Sequence, residues 1–496
     1  MVSKTRRRAI TAGLLLGMSL GAMEATVVGT AMPTVVATLG GLAHYAWVFS
    51  AYLLTSTASV PIWGRLSDLY GRRRMYLTGV VVFLLGSAAA GAATSMMMLI
   101  AARAVQGLGA AAIVSLSMTI IGELYTLAER ARSQALFSGV WGIASIAGPL
   151  VGGYITDALS WRWVFYINIP FGLLAITAIA LAYPRSKQAT DVRVDWAGAT
   201  LMFASVSAFL LAIGGEAGNG ASWAAAAVIL LAAFLVVERR VPEPILPLGL
   251  FKQPVVARTL MVAFMLGTAM FGAIAFIPLF VQTVLGGSAT QAGQVLTPLF
   301  LGWVGTSIVG AKLTVKIGYR RIAQSGVVFI AAGFTGLALL DATSSLRSLL
   351  VYCFLIGAGM GFSMLSLLLA IQHGVDRAQL GLATSLNQFA RSIGAAGGIA
   401  AMGALMTRRV GAIDLGGAAA SASSLAPATR AQFALGLHEV FLAGAVAAFG
   451  ALVATLFLPA VNFHADVPAD SGERMIAAEM TNLDAVNEPS SFKESA

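Results

Sequence analysis

The sequence has little from which a covalent or metal centre could be built. It contains one cysteine, Cys353, and four histidines among 496 residues. A single cysteine excludes an intrachain disulfide and a zinc site made of cysteine ligands, so we expect no metal. No lysine follows a glycine anywhere, which excludes the Gly-Lys pair of a phosphate-binding ATPase loop. An ATP-driven pump contained in this chain is thereby excluded.

Charge is also scarce. Only 10% of the residues are charged and 58% are hydrophobic, and the stretch from Met75 to Ala102 has no charge at all. This composition predicts an all-α integral membrane protein. The net charge of +10 could suggest nucleic acid. However, the basic residues fall in short loops between apolar runs, where they set membrane topology, so we expect no nucleic-acid partner.

Apolar runs of membrane-spanning length predict fourteen helices in an order of six, two and six. The first six lie near 10–32, 44–63, 75–94, 97–121, 134–156 and 163–182; two more lie near 196–214 and 222–237; the last six lie near 255–284, 291–311, 322–340, 348–371, 380–406 and 438–459. We therefore predict an N-terminal six-helix bundle over 1–182 and a linker with two inserted helices over 183–254. A C-terminal six-helix bundle over 255–460 and a disordered cytoplasmic tail over 461–496 follow.

An internal repeat supports two related halves. The stretch GRLSDLYGRRR at Gly64–Arg74 returns 247 residues later as AKLTVKIGYRR at Ala311–Arg321. A basic loop between two membrane helices, found once in each half, is typical of duplicated transporters. The second copy has lost polar residues, since Cys353 aligns with Arg103 and Ile356 with Gln106. We therefore place the coupling chemistry in the N-terminal half.

Basic residues near the helices predict the orientation. With the N-terminus inside, most Lys and Arg residues fall in cytoplasmic loops, and the outer segments hold Arg162, Arg347, Arg408, Arg409 and Arg430. This bias predicts cytoplasmic N- and C-termini, as expected for a multi-pass protein of the bacterial cytoplasmic (inner) membrane.

Glu24 is the one acidic residue placed deep in a predicted span, where a charge is costly unless it is paired or functional. Its depth is roughly 21 Å from the cytoplasmic side at 1.5 Å per residue. The helix that carries Arg103 enters from the outside, which places Arg103 roughly 9 Å into a core about 30 Å thick. Glu24 and Arg103 therefore lie at nearly the same depth. The sequence therefore predicts a Glu24–Arg103 pair, either a static salt bridge or a proton-coupling site.

Several motifs at matching places resemble one family. They are MEATVVGTAMP on the first helix, the Gly64–Arg74 loop, RAVQGLGAA at Arg103–Ala111, GIASIAGPLVGGYI at Gly142–Ile155 and WRWVFYINIPFG at Trp161–Gly172. Over residues 9–460 the chain resembles the major facilitator superfamily, specifically its fourteen-helix branch of drug:proton antiporters. Family members usually carry Asp where this chain has Glu24, which keeps the carboxylate and adds one methylene.

The resemblance implies roles for two groups of residues. The helix 5 residues Gly148, Pro149, Gly152 and Gly153 mark exporters in that family, although a plain packing kink would explain them too. The loop residues Gly64, Arg65, Asp68, Gly71, Arg72 and Arg73 would form a cytoplasmic latch that steadies the outward-facing state. Asp68 would then approach the helix that begins near Leu380. The alternative is that the arginines only enforce topology.

Candidate substrate contacts come from polar and aromatic residues within the spans. Polar groups that could orient a ligand in an apolar cavity are Tyr52, Gln106, Asn387 and Gln388, and adaptable apolar surface is offered by Phe271 and Trp303. We interpret Arg391, one turn beyond Asn387, as a structural charge.

These observations predict a proton-coupled efflux antiporter that exports lipophilic drugs, including cationic ones, by alternating access. We expect a monomer without a cofactor, driven by the proton gradient, whose partners are small lipophilic substrates, protons and membrane lipid. Two alternatives stay open. One is a lipid or glycolipid exporter in which the long outer loop from Thr407 to His438 guides the substrate. The other is a membrane sensor that transports nothing.

Overall fold

The computed structural model describes residues 3–125, 127–184, 195–214, 219–241, 246, 248–375, 379–410 and 427–459. Over these residues the chain is made of helices joined by short connections. The predicted tail at 461–496 lies outside the described residues.

The first part of the chain contains eight helices. They are α1 (Lys4–Leu39), α2 (Tyr45–Ala58), α3 (Val60–Tyr70), α4 (Arg72–Gly91), α5 (Met96–Leu124), α6 (Leu127–Ala158), the short α7 (Trp163–Tyr166) and α8 (Asn168–Ala182). Ser3 and Ser95 cap α1 and α5, since each side chain accepts a hydrogen bond from a backbone N–H three residues on.

The remaining helices form the inserted pair and a second bundle. The inserted pair is α9 (Trp196–Gly214) and α10 (Gly220–Glu238); the second bundle is α11 (Pro254–Thr283), α12 (Ala289–Ile317), α13 (Tyr319–Ala338), α14 (Leu346–His373), α15 (Leu380–Val410) and α16 (Pro427–Leu456). The α12 start is fixed by a capping box between Ser288 and Gln291.

Among the described residues, twelve helices are long and apolar enough to span a membrane, or thirteen when the bent helix α1 is counted. This count treats α7 and α8 as one span over Trp163–Ala182. The helices α2 and α3 are not included, because the helix is interrupted at Ser59 and the two parts have only 14 and 11 residues. The predicted total of fourteen spans is therefore not confirmed by the helices of this structure.

Two predicted loops differ from the structure. The stretch Gly64–Arg74 was expected to be a loop, but it is helical on both sides of Gly71. Gly71 adopts a φ of 88°, in a region that favours glycine, and so turns the chain within one residue. Its repeat partner Gly318 has a φ of 86° between α12 and α13. The ends predicted for the long outer loop from Thr407 to His438 are also wrong, because α15 continues to Val410 and α16 begins at Pro427. The stretch 411–426 between these helices lies outside the described residues.

The internal repeat is visible in the packing of equivalent helices. Gly109 on α5 lies against the backbone of Gly79 and Phe83 on α4. In the second half, Gly359 on α14 lies against Gly326 and Ile330 on α13, and both partners are 247 residues further along the chain. A Cβ at either glycine would overlap the neighbouring helix, so small residues set the close crossing in both halves.

The two halves contact each other near one end of the bundle. Gln282 donates to the carbonyl of Thr30 at 2.9 Å, and the Tyr45 hydroxyl donates to the carbonyl of Ala275 at 2.5 Å. Ser50 donates to the carbonyl of Ala396 at 3.1 Å. These residues lie toward one face of the bundle. Helices that end at this face are α1, α6, α11 and α15, and helices that begin there are α2 and α12. These three hydrogen bonds therefore join the halves toward the face opposite the N-terminus of α1.

The inserted helix α9 bridges the two halves along one side. Leu210 of α9 packs with Leu54 of α2 and with Ala396 and Ala400 of α15. Its partner α10 buries Ala227, Phe234 and Glu238, while much of the rest of its surface is exposed, as expected of a helix with one face toward lipid. The inserted pair thus covers the line along which α2 and α15 meet.

Candidate functional site: a buried ion pair on α1 and α5

The centre of the site is an ion pair between Glu24 on α1 and Arg103 on α5. Arg103 Nη1 donates to Glu24 Oε1, and the two residues are only 2% and 1% exposed. Burying two charges carries a large desolvation cost, which close pairing and further hydrogen bonds must offset. The predicted equal depth of these residues thus corresponds to direct contact in the structure.

Three polar side chains complete the network around the carboxylate and the guanidinium. Asn168 donates to Glu24 Oε2 at 2.7 Å and lies 2.9 Å from the Ser87 hydroxyl. Gln106 Oε1 accepts from Arg103 at 2.7 Å, and Gln106 Nε2 donates to Ser87 at 3.2 Å. Ser87 in turn donates to the carbonyl of Phe165 at 2.8 Å. Helices α1, α4, α5 and α8 therefore meet in one connected polar cluster.

Sequence reasoning missed Asn168 and Ser87. Asn168 is the first residue of α8, and it stands in the WRWVFYINIPFG motif, which served only to indicate the family. Ser87 lies within an uncharged apolar run of α4. A polar residue in such a run was the available signal, but which of the many serines and threonines face the cluster depends on helix rotation.

The remaining contacts of Arg103 hold its side chain in place. Its Nε donates to the carbonyl of Val48 at 3.2 Å, and its guanidinium carbon lies 4.2 Å from the centre of the Tyr52 ring. Tyr52 and Gln106 were predicted to contact substrate, but here both are buried and serve the ion pair. Gln106 has both ends of its amide occupied. A substrate could reach either residue only after this network had opened.

Close helix approach at glycines creates the cluster. A Cβ at Gly86 of α4 would overlap the backbone of Gln106, and one at Gly107 of α5 would overlap Thr55 and the carbonyl of Tyr52. Helix α1 bends by 41° between Glu24 and Thr26. Gly107 therefore allows α5 to pack closely against α2.

The predicted latch residues lie at the end of α3 and the start of α4. Arg72 pairs with Asp68 at 2.5 Å and with Glu123 of α5 at 2.9 Å, and it also donates to Ser67. Arg73 donates to the carbonyl of Ala180. The sequence predicts that Asp68 approaches the start of α15 near Leu380. In this structure Asp68 instead pairs with Arg72, within its own half. A Cβ added at Gly64 would meet no neighbouring described atom within 4 Å, so this side of α3 is open here.

The glycines and the proline of the fifth predicted span lie on α6, between α1 and α12. A Cβ at Gly148 or Gly152 would overlap Thr26, Val27 or Thr30 of α1. On the other side, a Cβ at Gly153 would overlap the carbonyl of Ala289, and the carbonyl of Pro149 lies where a Cβ of Gly293 would be. This small-residue stripe therefore allows α6 to pack against both halves at once.

Asp157, at the end of α6, ties this contact across the halves. Its carboxylate accepts hydrogen bonds from the backbone N–H groups of Ala289 and Thr290 at 3.2 and 2.7 Å, and from the Thr290 hydroxyl at 2.5 Å. A carboxylate at the N-terminus of a helix is stabilised by unpaired N–H groups and by the helix dipole. Sequence reasoning did not identify this residue, because nothing local shows that α12 begins beside it.

Replacing Gly153 with valine should prevent close approach of α6 and α12. Overpacking typically costs about 1–3 kcal/mol, so we expect transport to fall about tenfold or more. The control is Gly139→Val on the same helix, where an added Cβ meets open space. Both variants are compared by uptake into everted vesicles at equal protein levels. Equal activity of the two variants would contradict a role for the α6–α12 contact.

The candidate residues of the second half are separate from the ion pair. Phe271 and Trp303 are half-buried at the edge of the core, and Trp303 stacks on Phe300 with ring centres 6.4 Å apart. Asn387 is 8% exposed, and its Nδ2 has no hydrogen-bond partner within the part of the chain that the structure describes. Gln388 is exposed and accepts a hydrogen bond from Arg391.

Comparison with known proteins identifies the fold and the family. The model of the Major Facilitator Superfamily matches residues 14–399. The chain is 39% identical over 415 residues to the "Multidrug transporter protein MdtP" of Bacillus subtilis, covering 82% of this chain and 77% of that protein. It is 36% identical over 408 residues to "Multidrug resistance protein 3" of the same organism, covering 80% and 79%.

A solved structure shares the fold at low sequence identity. It is that of a bacterial homologue of the human lysosomal transporter Spinster, in an inward-facing and unoccupied conformation. The TM-score is 0.69 at 16% identity, and the match covers 92% of this chain and 98% of that one. The chain is thus a multi-pass membrane transporter and not an enzyme. It belongs to the major facilitator superfamily.

Proposed function

We propose that this protein is a proton-coupled efflux antiporter that exports lipophilic small molecules by alternating access. The observation that carries the proposal is the buried Glu24–Arg103 pair, held by Asn168 and Gln106 within the first half. The second half offers no equivalent, because Cys353 and Ile356 are buried apolar residues at the aligned positions. Two relatives whose names describe multidrug transport or resistance support the substrate class.

Glu24 supplies a means of coupling. When the carboxylate is ionised, it holds Arg103 and Asn168; when it takes up a proton, the ion pair is lost and the polar cluster must rearrange. Helices α1, α4, α5 and α8 meet there, so this rearrangement would change how they pack. One proton that moves inward down 100 mV supplies about 2.3 kcal/mol, enough for about a fiftyfold substrate gradient.

The proposed topology has fourteen spans and cytoplasmic termini in a bacterial cytoplasmic membrane. Helices α2 and α3 together form the second span, interrupted at Ser59, where Val60 and Pro61 follow. In this orientation the contacts between the halves lie on the outer side. The conformation is then inward-facing, and the Asp68 latch is disengaged, as expected for a latch that closes only in the outward-facing state.

The experiment uses purified protein in liposomes that enclose a pH-sensitive dye. A panel of fluorescent lipophilic compounds with positive, neutral and negative head groups is added on one side under an imposed pH gradient. We expect at least one compound to move against its own gradient while protons move in the opposite direction. Liposomes without protein are the control.

Each outcome separates the proposal from its alternatives. Movement of a compound without a matching proton flux would overturn the antiport mechanism. Binding of compounds without any movement would support the sensor. Movement of labelled phospholipid or glycolipid, with none of the panel transported, would support the lipid exporter instead.

A further inference from the structure

Another charge, separate from the Glu24–Arg103 pair, lies inside the membrane part of the chain, on α15. Arg391 is half-buried and lies 11 residues after the first residue of α15, or roughly 17 Å along the helix. Its Nη1 lies 3.2 Å from the sulfur of Met364 on α14, and its Nη2 donates to Gln388 on its own helix. The side chain therefore reaches toward α14, within the second bundle, and not out to lipid.

Among the described residues, no carboxylate forms an ion pair with this charge. The helices α2, α9, α11 and α14, which pack against α15, contain no Asp or Glu in their sequences, and α15 itself contains none. Helix α16 carries Glu439, which pairs with Arg409 at 2.6 Å at the far end of α15. An intramembrane charge without a counter-ion is costly unless a ligand supplies one.

The same face of α15 carries further donors. Asn387 and Gln388 precede Arg391 by four and three residues, which places all three on one side of the helix. Asn387 is more than nine-tenths buried, and its Nδ2 makes no hydrogen bond among the described residues. Gln388 already uses its carbonyl oxygen on Arg391, so its amide N–H groups remain as donors. Donors without an acceptor are the arrangement that binds an anion.

The first half offers little to a cation. Glu24 is its deep carboxylate, and both oxygens of Glu24 are occupied by Arg103 and Asn168. A cationic substrate would have to displace a buried guanidinium, whereas an anionic one would meet unneutralised positive charge at Arg391.

We propose that Arg391, with Asn387 and Gln388, binds the anionic group of a lipophilic substrate, such as a carboxylate or a sulfonate on an apolar body. This deepens the proposed function and depends on it for the direction of transport. It differs from the sequence-based prediction that the lipophilic substrates include cationic ones. The same chemistry would also accept the phosphate of an anionic lipid head group.

The test measures binding, which needs neither a gradient nor transport. Protein in phosphatidylcholine nanodiscs is titrated with 11-(dansylamino)undecanoic acid, with its methyl ester, and with an analogue that ends in trimethylammonium. A charge-assisted hydrogen bond contributes about 1.5–3 kcal/mol, so the acid should bind about 10- to 100-fold more tightly than the ester. Arg391→Gln should remove this preference, and Arg391→Lys should keep most of it.

The control variant is Arg347→Gln, which removes an exposed arginine from the first turn of α14. It should bind all three probes as the unaltered protein does. Equal binding of acid and ester, tighter binding of the ammonium, or an acid preference that survives Arg391→Gln would each overturn the proposal. If transport fails in liposomes while the acid preference holds, the proposed function fails and this site stands.

A further titration distinguishes the two sources of the anion. Nanodiscs that contain phosphatidylglycerol are compared with nanodiscs of phosphatidylcholine alone. If the anionic lipid weakens acid binding about tenfold, and Arg391→Gln abolishes that effect, the site binds a lipid head group. If the acid binds equally in both membranes, the site takes free lipophilic anions.

Discussion

Substrate movement driven by a pH gradient should fall to the level of empty liposomes in Glu24→Gln. Glutamine keeps the size of the side chain and the oxygen that accepts from Asn168 at 2.7 Å, but it cannot carry a proton between the two sides. Its neutral amide cannot form the ion pair with Arg103. The ionised and protonated states of the side chain, which differ in this ion pair, are therefore lost as separate states. Removing one partner of a buried ion pair also lowers stability, so uptake is compared at equal amounts of folded protein.

The measurement compares uptake with and without a pH gradient in the same liposomes. Glu24→Asp is the matched control, because it retains a carboxylate one methylene shorter, and it should keep gradient-dependent uptake at a reduced rate. Substrate exchange in the absence of a gradient should continue in Glu24→Gln. Gradient-dependent uptake that persists in Glu24→Gln would place the transported proton on another group.

The second large effect is expected for Arg103→Gln. This change leaves the Glu24 carboxylate buried without its cation and removes the guanidinium from the Tyr52 ring and the carbonyl of Val48. Breaking a buried ion pair by removing one partner typically costs about 3–5 kcal/mol. We therefore expect both a marked loss of stability and a loss of transport.

Cys353 provides the measurement of stability. It is the one cysteine of the chain and is fully buried, so a thiol-reactive dye labels it only as the protein unfolds on heating. Arg103→Gln should unfold at a clearly lower temperature than the unaltered protein. The double variant Glu24→Gln, Arg103→Gln holds neither charge and should recover most of that stability without recovering transport.

A different pattern would contradict this account. If the double variant were as unstable as Arg103→Gln, the guanidinium would be needed for its packing and not to neutralise Glu24. If Arg103→Gln alone were as stable as the unaltered protein, the network of Gln106, Ser87 and Asn168 would suffice to hold the carboxylate.

Much of the architecture follows from the sequence because the membrane imposes simple rules. A span must be long and apolar, and most predicted segments lie within a few residues of the observed helices. The segment that differs most is the last, where α16 begins at Pro427 and not near 438, since its first turns are less apolar than its centre. The prediction that Gly64–Arg74 forms a loop failed because its charges lie on α3 and α4, which meet at Gly71 with no longer connection between them.

The sequence also determined the Glu24–Arg103 pair, since a fixed rise per residue gives the depth of each side chain in a bilayer of known thickness. Depth does not give the rotation of a helix about its axis or the identity of its neighbours. Only the tertiary structure decided that Asn168 and Ser87 complete the cluster and that Tyr52 and Gln106 belong to it. It also decided that Asp157 caps α12 across the two halves and that Arg391 faces α14 without a carboxylate, because these contacts depend on how distant helices turn toward each other.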